Sequence, residues 1–308
     1  MAKPICTIVI PVYNQARFLG EALSSAVGQT EQGVEIIVID NGSNDDAAAV
    51  TDRFPRMQYI RQENRGPSGA RNRGLAASNA PFVVFLDADD RLMPDAISTG
   101  LSHLSTVSQA ALAYGAFRKM DVAGAPGTRV LFRPKVWDDD YRALLRVGNF
   151  VGMLGTAIFR RSALDAVGGF DEALRLSEDY ELFLRLARKF PFVSYPSLVA
   201  EYRQHSTSSS ANRIKMLHAC EAVLDMQAAA GGPGLDIKND LSAGRRWWRR
   251  YYANEIFRAA VARMIAGNDR RAALSDIGSA FAIAPSAPLK ALVTAATART
   301  KGLVGLRS

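Results

Sequence analysis

Cysteine is scarce in this chain, and its scarcity excludes two kinds of architecture. Of the 308 residues only Cys6 and Cys220 are cysteines, and they lie far apart in the sequence. Neither sits in the spacing of a structural zinc site, which excludes a zinc knuckle. Because there are only two cysteines and they are far apart, a small fold held together by a disulfide framework is excluded as well.

Long apolar runs are missing too. No stretch approaches the roughly 18 uninterrupted apolar residues that a transmembrane helix needs. The first residues, MAKPICTIVIPVY, carry one lysine and no small-residue cleavage site, so they are typical of a first β-strand and not of a signal peptide. We therefore expect a cytoplasmic protein.

Most of the chain has no excess of positive or negative charge, and the excess of positive charge is confined to the C-terminal part. Residues 1–240 hold 26 Lys or Arg and 27 Asp or Glu, whereas residues 241–308 hold 12 basic residues against three acidic ones. The net charge of +8 at pH 7 therefore belongs to the C-terminal region. Such asymmetry indicates an anionic partner, with membrane lipid and nucleic acid as the two classes to weigh.

The first hundred residues alternate two hydrophobic patterns. Short β-branched runs predict strands at residues 6–11, 35–40, 57–62 and 82–86, and helical patterns lie between them at 16–29, 45–54 and 69–77. Unbroken runs such as EIIVID and FVVFLD suit strands that are buried on both faces. The sequence therefore predicts an α/β fold with a largely parallel sheet and helices on each side.

The four strands are followed by polar, turn-rich segments: PVYN, DNGSND, QENRGPSGARN and DADD. In α/β sheets, ligands bind beyond the carboxyl ends of the strands. Acids, arginines and glycines that converge there predict a binding site. Ser43 and Asp45, in the second of these segments, are expected to cap the following helix.

One of these segments carries metal chemistry. Asp87 and Asp89 directly follow the apolar strand FVVFL with one residue between them. Two carboxylates at that spacing can share a hard divalent cation, which prefers oxygen ligands. Such a cation can bind a diphosphate and offset charge on a leaving group. A solvated acidic turn is the alternative explanation.

Beyond residue 105 the pattern changes twice. Strand and helix signals are mixed as far as residue 230, GGPG at 231–234 is a natural break, and the remainder has only helical signals. We predict one domain at 1–230, divided into halves at 1–105 and 106–230. A basic region at 236–308, containing three helices, is expected to follow it.

Several segments, taken in order, resemble a known family. TIVIPVYNQARFLGEALSSAVGQT, VEIIVIDNGSND, NRGPSGARNRGLAAS and FVVFLDADD, followed by SEDYELFLRLA and YRQHS, resemble the motifs of the family-2 inverting glycosyltransferases. The likeness covers about residues 4–210. It implies a catalytic domain with the GT-A fold, a Rossmann-like mixed sheet with helices on both faces, here followed by an all-helical C-terminal region. In that fold residues 1–105 are expected to form the nucleotide-binding half and residues 106–230 the acceptor-binding half.

The resemblance implies a set of donor-binding residues. The nucleotide is expected to contact Pro11, Val12, Tyr13, Asp40, Asn41, Arg71, Asp87 and Ala88. The family usually carries two acids where this chain has Asp40 and Asn41. Because an amide both donates and accepts, this departure leaves the nucleobase open, with UDP- and dTDP-sugars as the expected donors.

The resemblance also implies catalytic and metal-binding residues. Asp179 is expected to act as the general base that takes the proton of the acceptor hydroxyl, with Glu178 supporting it. Asp89, Asp87 and His205 are expected to bind Mg²⁺ or Mn²⁺. The competing explanations are a helix dipole that favours acids in its first turn, and a surface histidine.

The segment GRRWWRRYY at 244–252 interleaves arginine with aromatic residues. On a helix it can contact an anionic membrane surface, which would place the protein peripherally on the inner face of the membrane. It can equally be an amphipathic helix with packed tryptophans and solvated arginines. We expect no nucleic acid partner.

The function implied is metal-dependent, inverting, non-processive hexosyl transfer from a UDP- or dTDP-sugar to a glycan, a glycolipid or another polysaccharide precursor. A dinucleotide-dependent oxidoreductase is disfavoured because the turn after the first strand lacks G-x-G-x-x-G. A pyrophosphorylase would open with a glycine- and lysine-rich loop, which is absent. A protein that binds nucleotides or anionic surfaces without transferase activity remains the alternative.

Overall fold

The computed structural model describes residues 3–55, 57–132, 135–205, 212–231 and 236–288. Its residues belong to two compact units. The first comprises Met1–Leu144 and Asn149–Ser208, and the second comprises Leu145–Gly148 and Ser209–Ser308. The division at 230–236 that we expect from the sequence remains a proposal, and in the structure residues 213–229 belong to the second unit.

The first half of the first unit alternates strands and helices as predicted. Its elements are β1 (Cys6–Val12), α1 (Ala16–Val27), β2 (Val34–Asp40), α2 (Ala47–Thr51), β3 (Gln58–Arg61), α3 (Gly66–Ala77) and β4 (Phe82–Phe85).

The second half of this unit is more mixed. Its elements are β5 (Arg91–Leu92), α4 (Ala96–Ser105), β6 (Leu112–Met120), β7 (Pro126–Phe132), α5 (Asp140–Val147), a 3₁₀ turn (Leu154–Thr156), β8 (Ala157–Arg160), α6 (Arg161–Val167), α7 (Glu178–Ala187) and β9 (Phe192–Arg203). The last residues of α5 lie in the second unit.

These strands form one mixed sheet in the order β3-β2-β1-β4-β8-β6-β9-β5, and β7 pairs with β6. The strands β3, β2, β1 and β4 are parallel to one another. Strand β8 is antiparallel to both β4 and β6, whereas β6 and β9 are parallel. The predicted parallel sheet is thus correct for the first half, and antiparallel pairing extends it in the second.

Helices cover both faces of the parallel half, and β1 shows why. Ile8 and Ile10 pack in one core with Leu19 of α1, while Val9 points to the opposite face. There α3 comes so close that a Cβ atom at Gly74 would collide with the Val9 side chain. A strand that is buried on both sides needs an unbroken apolar run, which is the pattern in the sequence.

The second unit contains the helices α8 (Arg213–Ala229), α9 (Lys238–Ile265) and α10 (Arg270–Ile283). Three helices are predicted for residues 236–308. Two of them, α9 and α10, are present in the described part of that range, and residues 289–308 lie outside the described residues. Among the described residues, no helix combines the length and the apolar character that crossing a membrane requires.

The aromatic and basic side chains of α9 separate by role. Trp248 and Tyr252 are buried and stack with ring centroids 5.6 Å apart. Arg245 and Arg249 form ion pairs with acids of α8, at 2.5 Å to Asp225 and 2.6 Å to Glu221. These four residues of the segment at 244–252 are therefore engaged within the second unit.

Candidate active site

Arg71 joins two motifs that are far apart in the sequence. Its Nη2 donates to Asp87 at 2.7 Å, and its Nη1 donates to Glu178 at 2.7 Å. The guanidinium is buried, which by itself would lower its pKa, but the charges of the two carboxylates raise that pKa above its ordinary value. The D-x-D segment and the start of α7 are thereby held together by one side chain.

Asp179, the residue after Glu178, is held in a fixed position. Its Oδ2 accepts from the Asn149 amide at 2.9 Å, and its Oδ1 accepts from the backbone N–H of Tyr180 at 2.7 Å. Burial, together with the charge of Glu178, raises the pKa of Asp179 to about 7. Such a carboxylate can take a proton near neutral pH. The sequence analysis did not identify Asn149.

The backbone just before α7 is strained. Ser177 has a φ of 58°, a left-handed conformation that non-glycine residues rarely adopt. Asn14, at the end of β1, has a φ of 52°. Strained residues tend to occur where a site imposes its geometry on the chain. Both lie next to residues that the sequence analysis assigns to the site.

Asp89 and His205 are in direct contact. The Nε2 of His205 lies 2.7 Å from Oδ2 of Asp89, and the His205 side chain is only 2% exposed. Burial and the charge of Asp87 raise the pKa of Asp89, which the hydrogen bond with His205 partly offsets. Asp87 is more open, with 39% of its side chain exposed. The described residues contain no group of three acidic, histidine or cysteine side chains arranged to hold a metal ion.

Arg203 supports this end of the site, although the sequence analysis did not identify it. It is fully buried, and its Nε donates to the backbone oxygen of Asp89 at 2.8 Å. Its Nη2 donates to Glu21 of α1 at 2.8 Å, and its backbone N–H donates to Asp90 at 2.8 Å. Because His205 follows two residues later, Arg203 fixes both partners of the Asp89–His205 contact.

Asp40 lies at the end of β2 in a network within the first unit. Its Oδ2 accepts from Tyr59 at 2.5 Å and from Arg61 at 3.2 Å, and its Oδ1 accepts from the backbone N–H of Ser43 at 2.8 Å. Burial would raise its pKa, but these hydrogen bonds and the charge of Arg61 lower it. Asp40 is therefore an ionised hydrogen-bond acceptor.

Asn41 makes four hydrogen bonds, all within the chain. Its amide donates to the side-chain oxygen of Asn64 and to the backbone oxygen of Gly66, both at 3.1 Å. Its oxygen accepts from Gln62 at 2.8 Å and from the Arg65 N–H at 3.0 Å. Since an amide offers two donors and two lone pairs, the side chain is saturated. Asn41 holds the loop before α3, and a role in reading the base would require it to give up one of these contacts.

We expect Asn41→Asp to destabilise the first unit. A carboxylate cannot donate to Gly66 or Asn64, so a buried acceptor loses its partner, at a cost of ~1–3 kcal/mol. Chemical denaturation followed by circular dichroism measures this free energy of unfolding. The matched control is Asn44→Asp, which makes the same change at an exposed position. Equal stability of the two variants would contradict the role assigned to Asn41.

The remaining candidates for nucleotide binding differ in accessibility. Tyr13 is 46% exposed, so its ring can stack on a base, and Pro11 is half-buried beside it. Val12 and Ala88 have their side chains in the core. Neither of these two side chains is available to a ligand.

With this geometry in place, comparison with known proteins identifies the family. The family model described as "Glycosyl transferase family 2" matches residues 7–168. The chain belongs to glycosyltransferase family 2. The matched range includes Tyr13, Asp40, Arg71 and Asp89 but ends before Asp179 and His205, so the roles of these last two rest on the geometry above.

Curated relatives support the same family 2 assignment. The succinoglycan biosynthesis protein ExoU of Rhizobium meliloti (strain 1021) is 32% identical over 236 residues, which cover 70% of this chain and 67% of that protein. An uncharacterised glycosyltransferase of Rickettsia felis and the chondroitin synthase of Escherichia coli are longer, and the chain spans only 35% and 30% of their respective lengths.

Solved structures agree on the fold. The mannosyltransferase PcManGT of Pyrobaculum calidifontis, in complex with GDP-Man and Mn²⁺, superposes with a TM-score of 0.61 at 21% identity, covering 97% of this chain and 87% of that one. S. aureus TarS in complex with UDP gives a TM-score of 0.59 at 15% identity, covering 82% of this chain and 72% of that one. The GT-A fold with a helical C-terminal region, expected from the sequence, is confirmed.

Proposed function

We propose that this family 2 glycosyltransferase transfers a sugar, with inversion, from a UDP- or dTDP-sugar to a hydroxyl of a glycan or lipid-linked polysaccharide precursor. The observation that carries the proposal is the double ion pair of Arg71 with Asp87 and Glu178. It brings the D-x-D segment, where a diphosphate would bind, to the side of Asp179. Donor phosphate and acceptor base can then act on the same anomeric carbon.

The acceptor oxygen attacks the anomeric carbon while the bond from that carbon to the diphosphate oxygen breaks. The electron pair of that bond leaves with the nucleoside diphosphate, and the acceptor proton passes to Asp179. Attack from the face opposite the leaving group inverts the configuration. Asn149 and the Tyr180 N–H hold the two carboxylate oxygens in place, so the base need not reorganise before proton transfer.

We propose that a divalent cation binds at Asp89 and His205, two ligands of a site that the described residues do not complete. Asp89 and His205 are an oxygen and a nitrogen donor in contact. Burial and the nearby charge of Asp87 raise the pKa of Asp89, and a cation would relieve the repulsion between the two carboxylates. Asp89 and His205 would hold the ion, and the more exposed Asp87 would face the diphosphate side. A bound Mg²⁺ or Mn²⁺ would offset the negative charge on the leaving diphosphate.

Asp40 and Tyr13 support the choice of nucleobase. Because Asp40 is ionised, it can only accept hydrogen bonds, which suits a base with a ring N–H, as in uracil, thymine and guanine. Its side chain is buried and already accepts three hydrogen bonds, so a base would have to replace Tyr59 or Arg61. The exposed Tyr13 ring can stack on a pyrimidine. Among the structural neighbours, TarS was crystallised with UDP and PcManGT with GDP-Man, so guanine must be tested beside the pyrimidines.

A panel of nucleotides tests the proposed function. Thermal shifts and calorimetry are measured with UDP, dTDP, GDP and CDP, each with Mn²⁺ and again with EDTA. UDP or dTDP should stabilise the protein most, and chelation should remove most of that effect. Preferential binding of GDP would overturn the pyrimidine assignment, and absence of nucleotide binding would overturn the transferase proposal.

A second candidate function, contact with an anionic lipid surface, is favoured by one observation in the second unit. Arg246 and Arg250 lie one turn apart on α9 and are exposed, as is Tyr251 beside them. The neighbouring Arg245 and Arg249 are paired with acids of α8. An outward basic face with an aromatic side chain suits the headgroup region of an anionic bilayer.

We expect Arg246→Gln with Arg250→Gln to weaken binding to phosphatidylserine vesicles by ~2 kcal/mol, or about 30-fold, at low salt. Sedimentation with vesicles measures the bound fraction. The matched control, Arg245→Gln with Arg249→Gln, removes the same charge but breaks the ion pairs with α8. It should lower the melting temperature and affect vesicle binding less. No salt-sensitive binding by the wild type would rule out membrane contact.

A further inference from the structure

A group of aromatic side chains lies beside the residue that holds the base. Trp137, in the loop between β7 and α5, has its ring centroid 5.4 Å from that of Phe150, at an angle of 34°. Phe150 in turn lies 5.9 Å from Tyr114 of β6. We call Trp137, Phe150 and Tyr114 the aromatic wall. Phe150 and Tyr114 are buried, whereas Trp137 is half-buried and reaches solvent.

The aromatic wall is next in sequence to the group that positions Asp179. Phe150 directly follows Asn149, whose amide donates to Asp179 Oδ2 at 2.9 Å. The backbone between 149 and 150 therefore links the base to the wall. Trp137 is thus connected to Asp179 through its ring contact with Phe150 and the hydrogen bond from Asn149.

Two features of Trp137 point to a ligand. Its indole N–H is buried and has no hydrogen-bond acceptor among the described residues. A buried donor without a partner is unfavourable, and most such groups in proteins are satisfied. In addition, the ammonium of Lys135 lies 4.3 Å from the centre of the indole ring. Lys135 is exposed, so this flexible side chain can move aside at little cost.

We propose that Trp137 and Lys135 form the subsite for the terminal sugar ring of the acceptor. A pyranose has a face of C–H groups that carry partial positive charge, and the face of an indole ring is negative. The sugar would stack where the Lys135 ammonium lies in the structure. Its hydroxyls would accept from the displaced ammonium. An acceptor held in this way presents a neighbouring hydroxyl to Asp179.

The inference rests on the proposed function and narrows it. A lipid alcohol or a protein serine has neither the C–H face nor the ring of hydroxyls that this subsite would recognise. The acceptor is therefore a molecule that ends in a sugar.

Transfer to p-nitrophenyl glycosides of glucose, galactose, mannose and N-acetylglucosamine tests the subsite. The donors are the common sugars linked to the nucleotide that the panel selects, and the one that the wild type hydrolyses fastest is used. In Trp137→Ala, the KM for the best glycoside should rise about tenfold or more, since an aromatic contact of this kind is worth roughly 1.4 kcal/mol. Trp137→Phe, which keeps a ring but loses the indole N–H, should fall between Trp137→Ala and the wild type.

Two further measurements separate the possible failures. The rate of donor hydrolysis and the donor KM should be the same in Trp137→Ala and the wild type, and Val136→Ala, an exposed neighbour, should leave the glycoside KM unchanged. An unchanged glycoside KM in Trp137→Ala would overturn the subsite, as would a wild type that hydrolyses donor but uses none of the glycosides. If the wild type neither bound nor hydrolysed any nucleotide sugar, the proposed function on which the subsite rests would be overturned instead.

Discussion

Asp179→Asn should leave the donor bound and nearly abolish transfer. An amide has almost the shape of the carboxylate but cannot take a proton from the acceptor hydroxyl, so turnover should fall by ~10²–10⁴-fold. The nucleotide should bind as in the wild type, because Asp179 contacts Asn149 and Tyr180, not the residues assigned to the nucleotide. Turnover at saturating donor and calorimetry with the nucleotide measure the two effects.

The control for this variant makes the same chemical change elsewhere. Asp52→Asn alters an exposed residue at the end of α2 and should transfer sugar at the wild-type rate. If Asp179→Asn retained activity within a few-fold of the wild type, the base would have to be another residue.

The wild-type pH profile gives an independent check. Because burial and the charge of Glu178 raise the pKa of Asp179 to about 7, the base is lost as pH falls through that value. Below it, kcat/KM should drop by about tenfold per pH unit. Glu178→Gln removes the neighbouring charge, so this limb should move to lower pH. A flat profile between pH 5 and 8 would count against Asp179.

Asp89→Asn should lower kcat/KM about as strongly as Asp179→Asn lowers turnover, but by weakening the binding of the metal and the donor diphosphate. A neutral amide is a poor ligand for Mg²⁺ or Mn²⁺, and the stabilisation of charge on the leaving group is worth several kcal/mol, so kcat/KM should fall by ~10²–10³-fold. Arg203 donates to the backbone oxygen of Asp89, and this support does not depend on the side chain. The fold should therefore survive the change.

Chelation provides the matching measurement. Donor affinity of Asp89→Asn in Mn²⁺ should resemble that of the wild type in EDTA, and Asp52→Asn should respond to EDTA as the wild type does. A wild-type donor affinity that EDTA leaves unchanged would remove the metal from the proposal, whatever Asp89→Asn does to turnover.

The parallel half of the sheet was predictable because its signal is local. Strands β1, β2 and β4 are buried on both faces, so their apolar runs are unbroken and the observed bounds lie within two residues of the predicted ones. Parallel topology then puts the strand ends at one edge. Backbone hydrogen bonds from Asn41 to Val12 and from Gln62 to Asp40 show these ends side by side.

Side-chain partners across long sequence separations were not predictable from such patterns. Asp45 was expected to cap α2, but its carboxylate accepts from the Ala16 N–H at the start of α1, 29 residues earlier. The assignment to α2 was wrong because both helices begin near the same strand ends. The choice between them depends on tertiary placement.

By itself, the sequence determined the family, the alternation of elements and the edge of the sheet where polar residues gather, because local patterns encode each of these. Only the tertiary structure decided which groups meet there. Arg71 donates to Glu178, which lies 107 residues later in the sequence. Asn149 donates to Asp179 although no sequence motif marks it, and the buried Arg203 donates to the backbone oxygen of Asp89. A buried charge or amide pairs with whichever group folding brings within hydrogen-bond distance. Such a pairing produces no periodic pattern in the sequence from which it could be predicted.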